Sequence, residues 1–430
     1  MDRSTIVPPF EHLCVGSLLA LWVGVGCGGS VDAQDTESSA DGGDTDGDDG
    51  TGSYRLDIPG VPDAPPSPEP DPEPKCSSIG TLAPLEDRLL WTSTHPSSLS
   101  APVAVEGGGA LVLARDLDET RFERIDMSGE TVWSEHVHTG DVLIRDTDGD
   151  RGVGIVAVGQ ADGENRKWSI DPDGIDPEVE SLGSVEWGGD ECPDETNATG
   201  IAIAGEGRSV LAWSHLHDGE PDHPENGGCL YQASHWLSVS GPTQDFGFGT
   251  DGEVREVELV PGGAIVFTSG ESLSRYEADG TFAWEERVGV QPYVWPRLVE
   301  PVGDDVVFVS GSATPEHLEH RTAYNWTFFD DQLVWSQAAA ACEGYSLGMW
   351  TLAHPDGTTY WAAGVDNEDT DEYRTWIHRL SPGGELEWVA ESEEYVGIAG
   401  GVVGPDGDIL MVGREYTGGE YVGWIAKLAH

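Results

Sequence analysis

Seven times along the chain a Gly or Asp turn runs into a short apolar strand, starting at positions 108, 152, 207, 262, 304, 356 and 406. Most of these are followed by a second strand carrying an aromatic: Phe122, Trp168, Trp236, Trp326, Trp376 and Trp424. A turn and a third strand ending in Trp complete the unit. Gly129-x-x-x-Trp133, Gly280-x-x-x-Trp284, Asp331-x-x-x-Trp335 and Gly384-x-x-x-Trp388 share one spacing. A unit recurring every 42–55 residues has the length of one four-stranded propeller blade. A solenoid would need shorter and more uniform units, and a sandwich would not repeat its Trp positions.

The two ends point to a closed ring. The seventh repeat stops at Trp424–Leu428 without its final Trp strand, and Asp87-x-x-x-Trp91 upstream supplies that element in the same spacing. The expectation is an all-β, seven-bladed β-propeller in which residues 85–93 complete the last blade, with six or eight blades as the competing counts. Closure of this kind leaves no inner edge unpaired. The 58 Gly and 16 Trp fit many tight turns and aromatic-rich strands rather than helices.

Upstream of the repeats, residues 13–26 are an apolar run preceded by Arg3. Fourteen residues are too few for a membrane-spanning helix, which needs about 20, and suit the apolar core of a secretory signal. The run ends in Gly24-Val25-Gly26-Cys27, which resembles a bacterial lipoprotein signal lipidated at Cys27, although Gly24 stands where that pattern usually has Leu. Residues 1–26 are thus expected to be a signal peptide. Residues 27–75 are expected to be a disordered acidic, then Pro-rich, tether with too few apolar side chains to offset its ordering entropy. The propeller domain is expected over 76–430. The location implied is extracytoplasmic and membrane-anchored, at the outer membrane or cell surface, with the lipid as the sole membrane contact and the protein a monomer.

The apolar strand, aromatic strand and Gly-x-x-x-Trp pattern over residues 85–430 resembles bacterial secreted propeller repeats of the SBBP, delta-60 and PQQ-like groups. Acidic lipoproteins of this build are typical of myxobacteria. The quinoprotein dehydrogenases of the PQQ-like group carry a vicinal Cys pair over their cofactor. No Cys-Cys occurs here, so that activity is not carried over.

With Cys14 in the signal and Cys27 the lipid candidate, Cys76, Cys192, Cys229 and Cys342 remain. An even number in an exported chain suggests two disulfides among three connectivities. Cys192–Cys229 is favoured because it would staple the long connection of blade 3 to the exit of blade 2, which leaves Cys76–Cys342.

Two metal sites are candidates, each beside a simpler reading. His215, His217 and His223 lie in an insertion of the third repeat; an imidazole pair with a third ligand suits zinc or copper, and a polar loop facing water is the alternative. Asp146, Asp148 and Asp150 place carboxylates at alternate positions, as calcium loops do. Arg151 and Ala157 stand where an EF-hand needs Gly and Glu, which leaves a looser calcium turn or an acidic hairpin turn. The recurring Trp columns are expected to pack between blades, whereas Trp187, Trp295 and Trp350 fall outside them and are expected at an exposed surface.

With 79 Asp and Glu against 21 Lys and Arg, the formal charge is −58, and a body this acidic repels nucleic acid. No catalytic motif is present. The function expected is a non-enzymatic binding or scaffold module of the cell envelope for an unknown protein or glycan ligand, its site on the side of blades 2 and 3 or at the channel mouth. The alternative is a secreted glycan-active or calcium-dependent hydrolase or lyase. A deep axial pocket lined by Asp, Glu, His and Arg from several blades would favour that enzyme.

Residues 76–430 hold 64 of the acids against 18 bases, so the charge coats the body rather than the tether alone. Salt screens such self-repulsion. The melting temperature is therefore expected to fall by several degrees from seawater-like salt to dilute buffer; equal melting in both would contradict this.

Overall fold

The computed structural model describes residues 82–430 except 117–118, 140–141, 151–153, 175–176, 185–194, 205–207, 224–227, 242–244, 251, 290–292, 304, 315–320, 339–343, 368–371, 393 and 418–419. The chain enters through β1 (Ala83–Pro84), a 3-10 turn (Leu85–Asp87) and β2 (Leu89–His95). Blade 1 is β3 (Ser98–Ala104), β4 (Ala110–Arg115), β5 (Glu119–Ile125) and β6 (Thr131–Thr139). Blade 2 is β7 (Val142–Asp150), β8 (Gly154–Ala161), β9 (Glu164–Ile170) and β10 (Glu178–Ser184). Blade 3 is β11 (Glu195–Ala204), β12 (Arg208–His223), β13 (Gly228–Ser240) and β14 (Phe246–Thr250).

Blade 4 is β15 (Val254–Leu259), β16 (Ile265–Ser269), β17 (Ser272–Tyr276) and β18 (Phe282–Arg287). Blade 5 is β19 (Tyr293–Val302), β20 (Val306–Thr314), β21 (Thr322–Phe329) and β22 (Gln332–Ala338). Blade 6 is β23 (Gly344–Ala353), β24 (Thr359–Asn367), β25 (Glu372–Leu380) and β26 (Leu386–Glu391), with β1 added in parallel to β26. Blade 7 is β27 (Val396–Val403), β28 (Ile409–Thr417) and β29 (Glu420–Leu428), and its fourth strand is β2. The seven-bladed propeller and its closure by an N-terminal strand are as the repeats imply. The closing strand is Leu89–His95, while Leu85–Asp87 is a 3-10 turn that buries Leu85.

Each apolar strand of the repeat is the second strand of its blade. The first strands, β3, β7, β11, β15, β19, β23 and β27, adjoin one another in that order and return to β3, encircling an axis. Sheets packed face to face must bury the faces between them, and the core divides accordingly into seven apolar clusters, one per interface. Blades 1 and 2 meet at Leu111, Phe122, Ile155 and Trp168, and blades 6 and 7 at Trp350, Tyr360, Ile398, Met411 and Trp424. The smallest cluster joins blades 5 and 6 through Ala323, Trp361, Ala363 and Leu380. Trp168 and Trp326 are fully buried, which makes the aromatic column a packing element.

The Gly-x-x-x-Trp spacing has its own cause. Gly129, Gly174 and Gly280 sit at φ 84°, 74° and 85° in the turn between third and fourth strands. A Cβ on them would lie 2.5–2.7 Å from Trp91, Trp133 and Phe246, respectively. Each of those rings belongs to the fourth strand of the preceding blade, so the motif's Trp docks on the next blade's Gly. In blade 3, where Asp245 stands at the motif position, the adjacent Phe246 takes that place.

Gly174→Ala is expected to destabilise the fold by about 3 kcal/mol, combining left-handed strain with overpacking on Trp133. Gly163→Ala, at φ 78° with nothing within 4 Å, should cost about 1 kcal/mol. Equal losses in denaturant unfolding would refute the docking role.

Candidate functional site

All seven first strands carry a register irregularity at the same place. The residues skipped by pairing are Ala101 and Pro102, Arg145, Thr199, Arg255, Arg297, Met349 and Ala399. A bulge bends and twists a strand and re-aims the extra side chain. In blades 2, 4 and 5 that residue is an arginine.

The two alternate positions that follow each bulge turn toward the neighbouring blade near the axis. In blades 1, 6 and 7 they are Val103 and Val105, Trp350 and Leu352, and Gly400 and Val402. In blades 2, 4 and 5 they become Asp146 and Asp148, Glu256 and Glu258, and Leu298 and Glu300. The repeat thus replaces apolar core positions by acids in the same three blades that carry the arginines. An acid where a repeat calls for Val or Leu is destabilising, and such departures concentrate at functional sites.

Asp146 Oδ2 accepts the Ile201 N–H at 2.8 Å, and Asp148 Oδ2 accepts the Ile203 N–H at 2.6 Å. These bonds satisfy donors on the free inner edge of β11 and tie blade 2 to blade 3. Burial pushes Asp146 up to about 7 against its backbone hydrogen bonds. Burial, helped by the Asp148 charge, takes Glu300 to about 8. Glu256 and Glu258 are held well above the usual carboxylate range, first by burial and then by the carboxylates around them, while Arg297 acts in the opposite sense on Glu256.

The arginines form a layer toward the end of the ring where the first strands begin, here the upper mouth. Arg115 donates to the Val142 carbonyl at 3.1 Å and Arg255 to the Pro296 carbonyl at 3.5 Å, each reaching to the next blade. Arg321 lies over the Trp295 ring at 4.0 Å and Arg414 over Tyr421 at 4.8 Å. Tyr293, 60% exposed, stacks on Trp295 at 6.1 Å. Burial lowers the pKa of Arg255, opposed by Glu253 and abetted by Arg297 and Arg321. Burial lowers that of Arg115 as well, with Arg414 adding to it. Counting Arg145, six of the chain's eighteen arginines are gathered at this level.

The sequence candidates distribute as follows. Asp146 and Asp148 belong to the first strand β7 and not to a hairpin turn, and Asp150 ends that strand with its side chain outside the described residues. The His insertion is a hairpin: β12 runs unbroken from Arg208 to His223 and pairs with β13, with His215 opposite Ser234 and His217 opposite Gln232. Eight residues of strand set His223 roughly 26 Å from His215. His215 Nδ1 lies 2.7 Å from Thr196 Oγ1, and the side chains of His217 and His223 lie outside the described residues, as do Cys27, Cys76, Cys192, Cys342 and the side chain of Cys229. Trp295 is at the mouth, as expected of a Trp outside the columns. Trp350 is 5% exposed and packs between blades 6 and 7, against the expectation of an exposed surface, because it follows the bulge and so faces the next blade. Trp187 is outside the described residues.

The axial glutamates were missed. Their strands are short and carry neither the apolar run nor the Trp that marks the repeat. The alternation Glu256-Val257-Glu258-Leu259 was the available signal.

The fold and site define a seven-bladed β-propeller with an arginine mouth over partly buried axial carboxylates. No family model matches the chain, and no curated protein matches it. Among solved structures it is similar to the Pan2 WD40 domain of Neurospora crassa, at 10% identity and a TM-score of 0.48 over 79% of this chain and 94% of that one. It is similar to a protein of unknown function from Bacteroides caccae, at 11% identity and 0.40 over 71% and 97% of the two chains. The extracellular domain of BT4673, a putative hybrid two component system of B. thetaiotaomicron, follows at 10% and 0.45, over 78% of this chain and 38% of that one. Among the described residues, no helix is long and apolar enough to cross a membrane.

The raised carboxylates predict a pH dependence with a definite sign. Unfolded, these acids titrate near 4, and folded Asp146 holds its proton to about 7 and Glu300 to about 8. Between those limits the folded chain binds more protons, so stability falls as pH rises through that window and levels off above it. The melting temperature should fall from pH 5 to 8, and Glu300→Gln should flatten that fall and raise melting at pH 8. A Glu300→Gln variant with the parent's slope would exclude a raised Glu300.

Proposed function

We propose that the protein is a lipid-anchored, extracytoplasmic, non-enzymatic binding module that captures a carboxylate-bearing ligand at the upper mouth of its channel. The observation that carries this is the gathering of arginines beside Trp295 and Tyr293 in a chain that is otherwise an acidic coat. A guanidinium fork matches a carboxylate, and the exposed aromatic face of Tyr293 suits a sugar ring or an apolar side chain beside it. A polyanion would meet the coat before the mouth, so the ligand carries one or a few carboxylates, as an acidic oligosaccharide or a short peptide does. The anchor and the location rest on the apolar run before Cys27, and the single-chain state on the closed ring. The grouping with myxobacterial propeller lipoproteins rests on the repeat pattern.

A second reading makes the same site an enzyme acting on that ligand. The feature favouring it is the axial set of carboxylates that stay protonated near neutrality, as a general acid must. Calcium, expected from Asp146, Asp148 and Asp150, belongs in either reading with those carboxylates; an effect of added calcium on melting that persists in Glu258→Gln would remove it from there.

Calorimetry against uronate-containing oligosaccharides, their neutral counterparts and acidic peptides tests the binding reading. Arg297→Ala and Arg321→Ala should each weaken binding of the carboxylate-bearing ligand about 10- to 100-fold, as expected for a charge-assisted hydrogen bond. Affinity untouched by both changes rules out the mouth. Turnover that disappears in Glu300→Gln would select the enzyme.

A further inference from the structure

On the opposite face of the ring, at the seam where it closes, lies a second polar constellation. His354 and Asp356 belong to the turn joining β23 to β24 in blade 6, and His430 follows β29 of blade 7. The two imidazoles stack at 3.7 Å with an interplanar angle of 12°. Asp356 lies between them: Oδ1 is 2.7 Å from His354 Nδ1, and Oδ2 is 2.9 Å from His430 Nε2. The remaining nitrogens are also engaged, His354 Nε2 with the Gly407 carbonyl at 3.1 Å and His430 Nδ1 with the Tyr360 hydroxyl at 2.9 Å.

The hydrogen bonds of His354 do not close for a neutral ring. The Gly407 carbonyl only accepts, so Nε2 carries the proton. Nδ1 is then a lone pair, and the Asp356 backbone N–H points at it from 3.3 Å. That lone pair faces a carboxylate oxygen at 2.7 Å. The Thr358 N–H donates to the same Asp356 oxygen at 2.9 Å, so this oxygen too serves as an acceptor. Two acceptors at that distance need a cation between them, either a second proton on His354 or a metal ion.

The surroundings match a metal site. A ligating histidine commonly has its other nitrogen fixed by a carbonyl or another polar group, and Gly407 and Tyr360 provide that for His354 and His430. One donor atom from each of His354, Asp356 and His430 can be chosen so that all lie within 4.8 Å of one another. Tetrahedral bonds of about 2.0–2.1 Å set donors roughly 3.3 Å apart, a closure that requires the His430 ring to turn out of its stack on His354 so that both ring planes contain the ion. Two imidazoles and one carboxylate are a donor set for zinc or a similar divalent transition metal, with water as the fourth ligand.

We propose that His354, Asp356 and His430 bind a zinc-type divalent ion that clamps the ring at its seam. The clamp joins the blade 6 turn to the residue after β29, the strand that β2 closes. It acts beside the Ala429 N–H to Arg88 carbonyl bond, which ties the same C-terminal segment to the N-terminal entry. The ion binds the folded ring, so it raises stability by mass action.

The test uses the full chain, purified without a polyhistidine tag and stripped with chelator. Zinc at about 100-fold its dissociation constant should raise the melting temperature by roughly 5 °C, with one ion bound per chain by calorimetry. Cobalt should give the absorption bands of a tetrahedral ion. His430→Gln, with a partly exposed side chain, should fold as the parent does and lose the zinc response; His354→Gln should lose it as well, and His215→Gln should keep it. No zinc-dependent shift in the parent overturns the proposal. So does a shift that survives in both His354→Gln and His430→Gln.

Discussion

Everything in this molecule depends on the burial of one sheet face against the next around a closed circle. A single four-stranded blade has two faces to cover and no core of its own, so each is stable only between two neighbours. Seven apolar clusters, one per interface, are the energetic content of the fold, and the ring requires all seven. Hence the use of β2 as the last strand of blade 7, where the two ends of the domain are held by the same ladder. The proposed clamp at His354, Asp356 and His430 acts on the same seam.

Against that background, the axial acids are an exception that the fold carries at a cost. Blades 1, 6 and 7 place Val, Leu, Trp or Gly after the bulge. Blades 2, 4 and 5 place carboxylates there, and burial raises the pKa of four of them. Two of them repay part of that cost by accepting backbone N–H groups of β11. Among the described residues, Glu256, Glu258 and Glu300 make no such bond to the inner edge, and above them lie the arginines. The functional reading follows from this asymmetry in an otherwise repeating ring. Its chemistry is concentrated in three blades and at the upper mouth, where guanidinium groups and aromatic faces stand together.

The fold was legible because its determinants are local and repeated. The apolar second strands, the aromatic third strands and the Gly-x-x-x-Trp turns recur at blade spacing, and Trp91 supplied the element missing from the last repeat. The candidate site was much less legible. Asp146 and Asp148 stood out as alternating carboxylates but suggested a calcium turn, since an acidic pair in a strand facing a channel looks the same in sequence as one at a hairpin tip. The glutamates of β15 and β19 lie in short strands without a repeat signature. Trp350 broke the column spacing and so suggested exposure, although the bulge before it turns the ring inward.

By itself, the sequence determined a ring of seven blades, its closure through an N-terminal strand and the acidity of its surface, because strand periodicity, turn glycines and net charge are properties of neighbours along the chain. Only the tertiary structure decided which side chains meet. The carboxylates of β7, β15 and β19 come from three blades and up to about 150 residues of chain, and His354 meets His430 across blade 7. Such encounters are set by how far each blade turns about the axis and where each bulge redirects its strand, quantities that no local pattern of residues encodes.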